Sequence, residues 1–240
     1  MTKADYGLDA PSVTKKLFIF GILSALLSLF LLIAFSTRVI LFVFGIVCAF
    51  TGVCLVATGF LMVFSSRFGK IKEREKLLDL LGLHGDERVL DIGCGRGLYL
   101  IGAAKRLTNG GKAIGIDIWQ NKDLSDNSQQ NTLDNAVSEN VLERVIVKTA
   151  DMRRIPFTDS SFDVVLSCLA IHTIYDRAER QKALSEIVRV LKPDGKLCII
   201  DMRYTKEYIS FFEEKGISIQ QTSRLKLVFP KSVAIIGIKK

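Results

Sequence analysis

Val89-Leu90-Asp91-Ile92-Gly93-Cys94-Gly95-Arg96-Gly97 is the stretch on which the reading of this chain turns. Its apolar run ends in an acid and reads as a buried parallel strand. Three glycines at alternate positions follow at once. They mark a turn where backbone must approach something closely, because a Cβ would be in the way. From Leu98 to Leu107 the apolar residues take helical spacing. Strand, glycine turn and helix together form the unit with which α/β folds hold nucleotide-like ligands.

Downstream, Ala113-Ile114-Gly115-Ile116-Asp117 is a second apolar run ending in an acid. A helix and a return strand after Gly97 bring Asp117 beside the glycine turn, where a carboxylate can accept from ribose hydroxyls. Residues 119–138 are polar and read as a loop leading into a helix. Further strands are predicted at Arg144–Lys148, Phe162–Ser167, Lys196–Asp201, Ile217–Gln221 and Ser232–Ile238. Helices are predicted at 69–83, 176–191 and 207–215, and Lys192-Pro193-Asp194-Gly195 reads as a turn. This alternation predicts an α/β fold, a mostly parallel sheet covered on both faces.

Upstream, the chain changes character. Leu17–Phe35 is 19 residues without a charge and Val39–Phe64 is 26, with Ser36-Thr37-Arg38 between them. As helices these are about 28 and 39 Å long, enough to cross a bilayer, so a transmembrane helical hairpin is expected over 17–64 (spans 17–35 and 39–64). A polar tail, 1–16, precedes it. Small residues line one face of each run: Gly21, Ser24, Ala25 and Ser28 on the first, Gly45, Ala49, Gly52 and Gly59 on the second. Lys3, Lys15 and Lys16 precede the hairpin and Arg67, Lys70, Lys72, Arg74 and Lys76 follow it. Only Arg38 sits between, so the positive-inside rule places both termini and the remaining chain in the cytoplasm.

Of the 240 residues, the first 76 hold nine Lys/Arg against four Asp/Glu, whereas the rest hold 24 against 21. That near balance argues against a nucleic-acid surface. The five cysteines include no CxxC pair and the two histidines are far apart, so neither a metal site nor a disulfide framework is expected.

The glycine spacing is G-x-G-x-G, not the dinucleotide G-x-G-x-x-G, and no phosphate-loop Lys-Ser/Thr follows. Asp91, two residues ahead, would repel a pyrophosphate and suits a ligand carrying an ammonium. S-adenosylmethionine has an α-amino group, a sulfonium, a ribose and an adenine, and no phosphate. From about residue 70 to 240 the chain resembles the class I S-adenosylmethionine-dependent methyltransferases. The resemblance rests on Val89–Gly97, Gly115-Ile116-Asp117, Ala150-Asp151-Met152 with Pro156-Phe157, Phe162–Val165 and Leu191–Leu197. It implies a Rossmann-like seven-stranded sheet in the order 3-2-1-4-5-7-6, the last strand antiparallel, following the transmembrane hairpin.

The same resemblance implies S-adenosyl-L-methionine as cofactor. Asp91, Gly93, Cys94, Gly95 and Gly97 would surround its methionine part, with Ser167 nearby. Asp117 would hold the ribose, Asp151 the adenine N6, and Ile118 and Met152 the adenine ring. The branch closest in texture methylates small molecules such as quinones and sterols. His172, five residues beyond Ser167, is the imidazole near the pocket mouth and is expected as a general base; Tyr175, Tyr204 and Asp201 are weaker candidates. A tether this short turns the cofactor edge toward the membrane, and Arg224–Lys231 is expected to dip into the interface. A lipid-soluble acceptor follows from that placement. A protein or soluble-metabolite acceptor, and a binding module without turnover, are the alternatives.

Overall fold

The computed structural model describes residues 4–240. Lys3, one of the flanking cations in the sequence reading, lies outside them. The chain runs α1 (Pro11–Ala34), α2 (Val39–Phe64), a π-turn (Ser65–Gly69), α3 (Lys70–Leu81), β1 (Arg88–Ile92), α4 (Leu98–Ala104) and β2 (Lys112–Asp117). It continues through α5 (Gln129–Ser138), β3 (Val145–Thr149), β4 (Phe162–Cys168), α6 (Arg177–Val190), β5 (Leu191–Asp201), α7 (Thr205–Glu214), β6 (Ile217–Arg224) and β7 (Val233–Lys239).

The sheet order is β3-β2-β1-β4-β5-β7-β6, with β7 antiparallel to both of its neighbours. This is the Rossmann-like arrangement expected. The pleat of β1 divides the core. Val89 faces a cluster with Leu77 and Leu78 of α3 and Leu100 and Ile101 of α4. Leu90 and Ile92 face the opposite cluster, with Leu184 and Ile187 of α6 and Tyr208 and Phe212 of α7. By the same alternation Asp91 points toward α4, 2% exposed. One boundary differs: β5 begins at Leu191, because Leu191 already pairs with Phe162 before the chain bulges out through Asp194 (φ 59°) and rejoins at Val164↔Lys196.

The two N-terminal helices are each long and apolar enough to cross a membrane, and they pack as an antiparallel pair. Gly21 and Gly52 face each other across the pair. A Cβ on Gly52 would stand 2.9 Å from the Gly21 carbonyl oxygen, so only glycine lets the backbones meet. α1 starts at Pro11, six residues ahead of the uncharged run, since proline's fixed φ suits a first helical turn. α2 does not end at Phe64. Through the π-turn it continues into α3 as one helix of 43 residues, Val39–Leu81.

Two further departures concern the ends of this pair. Residues 4–10 do not hang free but dock as a strap on the sheet's C-terminal edge. Tyr6 is buried, its ring under Arg74 and its hydroxyl donating to Glu139 (3.1 Å). Asp9 bridges Leu124 and holds Lys70 at 2.6 Å. The segment Arg224–Lys231 is likewise turned inward. Leu225 and Val228 are buried in the α3 core cluster, and Phe229 N–H donates to Ser65 Oγ (2.8 Å). The groove beside α3 offers these side chains a closer apolar surface than any interface outside, so Arg224, Lys226 and Lys231 are what the segment leaves exposed.

Candidate active site

The glycine turn is fastened down by its own donors. Gly93 and Cys94 N–H both donate to the Ile116 carbonyl (2.8 and 3.1 Å), Gly97 N–H to the Cys94 carbonyl (2.9 Å) and Gly95 N–H to Asp117 Oδ2 (2.9 Å). Gly93, Gly95 and Gly97 all have positive φ. A Cβ on Gly93 would come within 2.3 Å of Ala170. Cys94 turns its thiol inward against Gly115, where burial raises its pKa. With the N–H groups of Gly93, Cys94, Gly95 and Gly97 spent, the turn has little to offer a phosphate. Its free group is an acceptor, the Gly93 carbonyl, which has no partner among the described residues.

Asp91 lies behind the turn. Its Oδ2 accepts from Leu100 N–H (2.8 Å), and burial, with the nearby Asp117 charge, pushes its carboxyl up to about 7. Asp117, ending β2, also takes Trp119 N–H (2.7 Å) and Asn127 Nδ2 (3.3 Å) on Oδ1. Trp119 adopts φ 60° and ties its indole to Thr149 Oγ1 (2.7 Å), which sends residues 119–128 back over the edge. The strap holds that loop. Leu8 N–H donates to Ser125 Oγ (2.8 Å), Ser125 N–H to the Leu8 carbonyl (3.0 Å) and Ala10 N–H to the Asp123 carbonyl (2.8 Å). Arg96, within the turn, reaches Asp5 at 3.3 Å.

The residues expected on the adenine side are arranged less simply. Ile118 is 47% exposed at the end of β2, and Met152 packs partly buried near Gly93. Asp151 is held by the Arg153 guanidinium and backbone N–H, which keeps its carboxyl below the usual range. Ser167 is buried and donates to the Ile92 carbonyl (2.9 Å), joining β1 to β4.

His172 is 8% exposed on a 3-10 turn after β4. Its Nδ1 stands 2.7 Å from Asp201 Oδ1, and its backbone N–H donates to Asp201 Oδ2 (2.9 Å). Asp201, 1% exposed at the end of β5, also accepts from Met202 N–H (2.8 Å) and Tyr208 Oη (3.3 Å). A histidine backed by a buried carboxylate and a tyrosine therefore stands at the β4–β5 end of the edge.

A family model described as a methyltransferase domain matches residues 90–199. Over those residues the chain is similar to a methyltransferase domain. Its curated relatives include a demethylmenaquinone methyltransferase of Lactobacillus johnsonii, 33% identical over 129 residues, covering 53% of this chain and 49% of that protein. A sterol 4-C-methyltransferase of Caenorhabditis elegans is 31% identical over 132 residues, 55% of this chain and 36% of that one. The chain thus spans about half or less of these relatives' length. Among solved structures, an S-adenosylmethionine-dependent methyltransferase from Aquifex aeolicus superposes with a TM-score of 0.57 at 22% identity, covering 76% of this chain and 98% of its own. A geranyl diphosphate methyltransferase does so at 0.55 and 18%, covering 70% and 77%.

S-adenosylmethionine is the cofactor of this domain class, and the edge fits it. An acceptor carbonyl and a buried carboxylate suit the ammonium, and the carboxylate ending β2 suits the ribose. The site also holds features that sequence patterns did not reveal. Asn127 is fixed only by the closed loop. The pairing of Asp201 with His172 needs β4 and β5 side by side. The strap carried a faint signal, an aromatic-glycine pair (Tyr6-Gly7) in a tail that otherwise looked merely polar.

Proposed function

We propose that the protein is a membrane-anchored methyltransferase that moves the methyl group of S-adenosylmethionine onto a small, lipid-soluble acceptor. The observation that carries this reading is the glycine turn, which turns its donors inward and leaves acceptors for a cation. When bound, the cofactor supplies an electrophilic methyl on a sulfonium. Gly93 and Asp91 would bind the ammonium end and Asp117 the ribose. Gly95, Gly97 and the inward-turned Cys94 shape the cradle, Ile118 and Met152 flank the adenine, and Asp151 and Ser167 complete that side. The acceptor's lost proton would pass to His172, oriented by Asp201. The remaining work is alignment, because direct displacement needs donor and acceptor atoms in line.

The anchor reading is supported by exposure. Only 17% of the most apolar window of each N-terminal helix is covered, whereas a helix in a soluble core would be mostly covered. Both helices meet the domain at the edge where β1, β2 and β4 end. An acceptor dissolved in the bilayer would therefore have the shortest path to the cofactor, with both termini and the domain on the cytoplasmic side. Relatives acting on menaquinone precursors and sterols are in keeping with an apolar acceptor.

Two measurements test this. Calorimetry with S-adenosylhomocysteine should give binding to the wild type and about a tenfold or greater loss in Asp117→Ala. Tritiated-methyl labelling of membrane extracts should place the label in the organic-solvent phase. Label confined to protein or to the aqueous phase would overturn the acceptor class.

A further inference from the structure

We propose that Asn127 is a ribose-binding residue, its Oδ1 accepting from one of the two ribose hydroxyls while Asp117 accepts from the other. The proposal rests on the cofactor reading above and adds a residue to it.

Asn127 is 6% exposed, and its side-chain oxygen is buried without a partner. Both amide hydrogens are committed, to Asp117 Oδ1 (3.3 Å) and to the Gln120 carbonyl (3.1 Å). That fixes which end is oxygen: exchanging the two would set the amide oxygen against two acceptors. The backbone is fixed as well, because Asn127 N–H donates to Asn121 Oδ1 (2.6 Å). The oxygen is therefore held rigidly, next to the carboxylate assigned to the ribose, with nothing to accept from. Leaving such an oxygen unpaired is costly, so it calls for a donor from outside the chain, and a ribose hydroxyl beside Asp117 supplies one.

Counting lone pairs makes the case specific. A carboxylate offers about four acceptor positions. Asp117 spends three of them on Gly95 N–H, Trp119 N–H and Asn127 Nδ2. One remains, on Oδ2, for a vicinal diol that presents two hydroxyls. Asn127 Oδ1 is the one side-chain oxygen among the described residues that is buried and unpartnered, and it supplies the missing position. Arg96 Nε, also buried and unpartnered, is a donor and cannot serve.

The test is calorimetry on the full-length protein in detergent with S-adenosylhomocysteine and its 2′-deoxy and 3′-deoxy analogues. Wild type should lose about tenfold in affinity for the analogue lacking the hydroxyl that faces Asn127. Asn127→Ala should lose about tenfold for the parent compound, and then bind that same analogue no more weakly than the parent. The other analogue should weaken both proteins alike. Unchanged affinity in Asn127→Ala, or equal losses in both proteins for both analogues, overturns the proposal. If the alanine variant does not fold, Asn127→Ser is read by the same criteria, and indifference of the wild type to both missing hydroxyls is itself a refutation. A folded wild type that does not bind S-adenosylhomocysteine at all would instead sink the cofactor reading.

Discussion

Asp91 meets conflicting demands at one position. It is buried behind the glycine turn, with a single N–H donor to its carboxylate, and so titrates near 7. The unfolded chain releases this proton near pH 4. Between about pH 4 and 7 the folded protein binds a proton that the unfolded chain has lost, so stability falls as pH rises through that window and levels off above it. Asp91→Asn should remove this slope. Thermal melts of the ligand-free variant should show a higher Tm than wild type at pH 8 and little difference at pH 4, alongside lost affinity for S-adenosylhomocysteine. At the opposite end of the edge, His172 and Asp201 act as one unit in the proposed reaction. Asp201→Asn should lower kcat by about tenfold or more with KM unchanged, and adding it to His172→Ala should cost nothing further. Additive losses in the double variant would show that the two residues do not act together.

The elements that join helix pair and domain are tightly built. At Gly69 a Cβ would stand 1.8 Å from the Leu227 carbonyl oxygen, so Gly69→Ala must push the β6–β7 loop away. A loss of about 1–3 kcal/mol is expected, read from the unfolding midpoint. One residue on, Lys70 and Asp9 form an ion pair with side chains only 7% and 19% exposed. Asp9→Ala leaves a buried ammonium without its partner, at a cost of about 3–5 kcal/mol, and the paired change Asp9→Leu with Lys70→Met should recover most of it. Legibility in the sequence follows the range of the interactions. β1, β2 and β4 and the turn after β1 could be read directly, because period-2 burial and glycine spacing are local. The start of β5 could not, since it depends on pairing with Phe162. Nor could the strap: its polar residues gain structure only from partners such as Ser66 and Asn135, 57 and 130 residues away. Within the site, the acids ending β1 and β2 were visible from their strands. Asn127 needed the loop to close, and Arg153 beside Asp151 needed side-chain geometry.

At the scale of the whole molecule, the domain is discontinuous in the chain. Its strap comes before α1 and its sheet after α2, and both dock on one edge. Replacing residues 4–10 with a Gly/Ser run should therefore lower both the Tm and the affinity for S-adenosylhomocysteine, even though Asp91 and Asp117 are untouched. Calorimetry and melting on the full-length variant would show this, and unchanged affinity would mean that the loop over residues 119–128 holds its place without the strap. The order of synthesis adds a consequence. The strap emerges before both helices, and its partners Leu124, Ser125 and Asn135 emerge only after them. If the helix pair spans a membrane as proposed, the strap can engage those partners only when the pair has brought the growing chain back to the side on which it started. In that proposed arrangement, a molecule with one helix left uninserted would strand the strap across the bilayer from the candidate site. On the proposed membrane-anchored reading, the closed loop is a record that insertion went correctly, and a misinserted copy would carry its candidate cofactor edge unsealed.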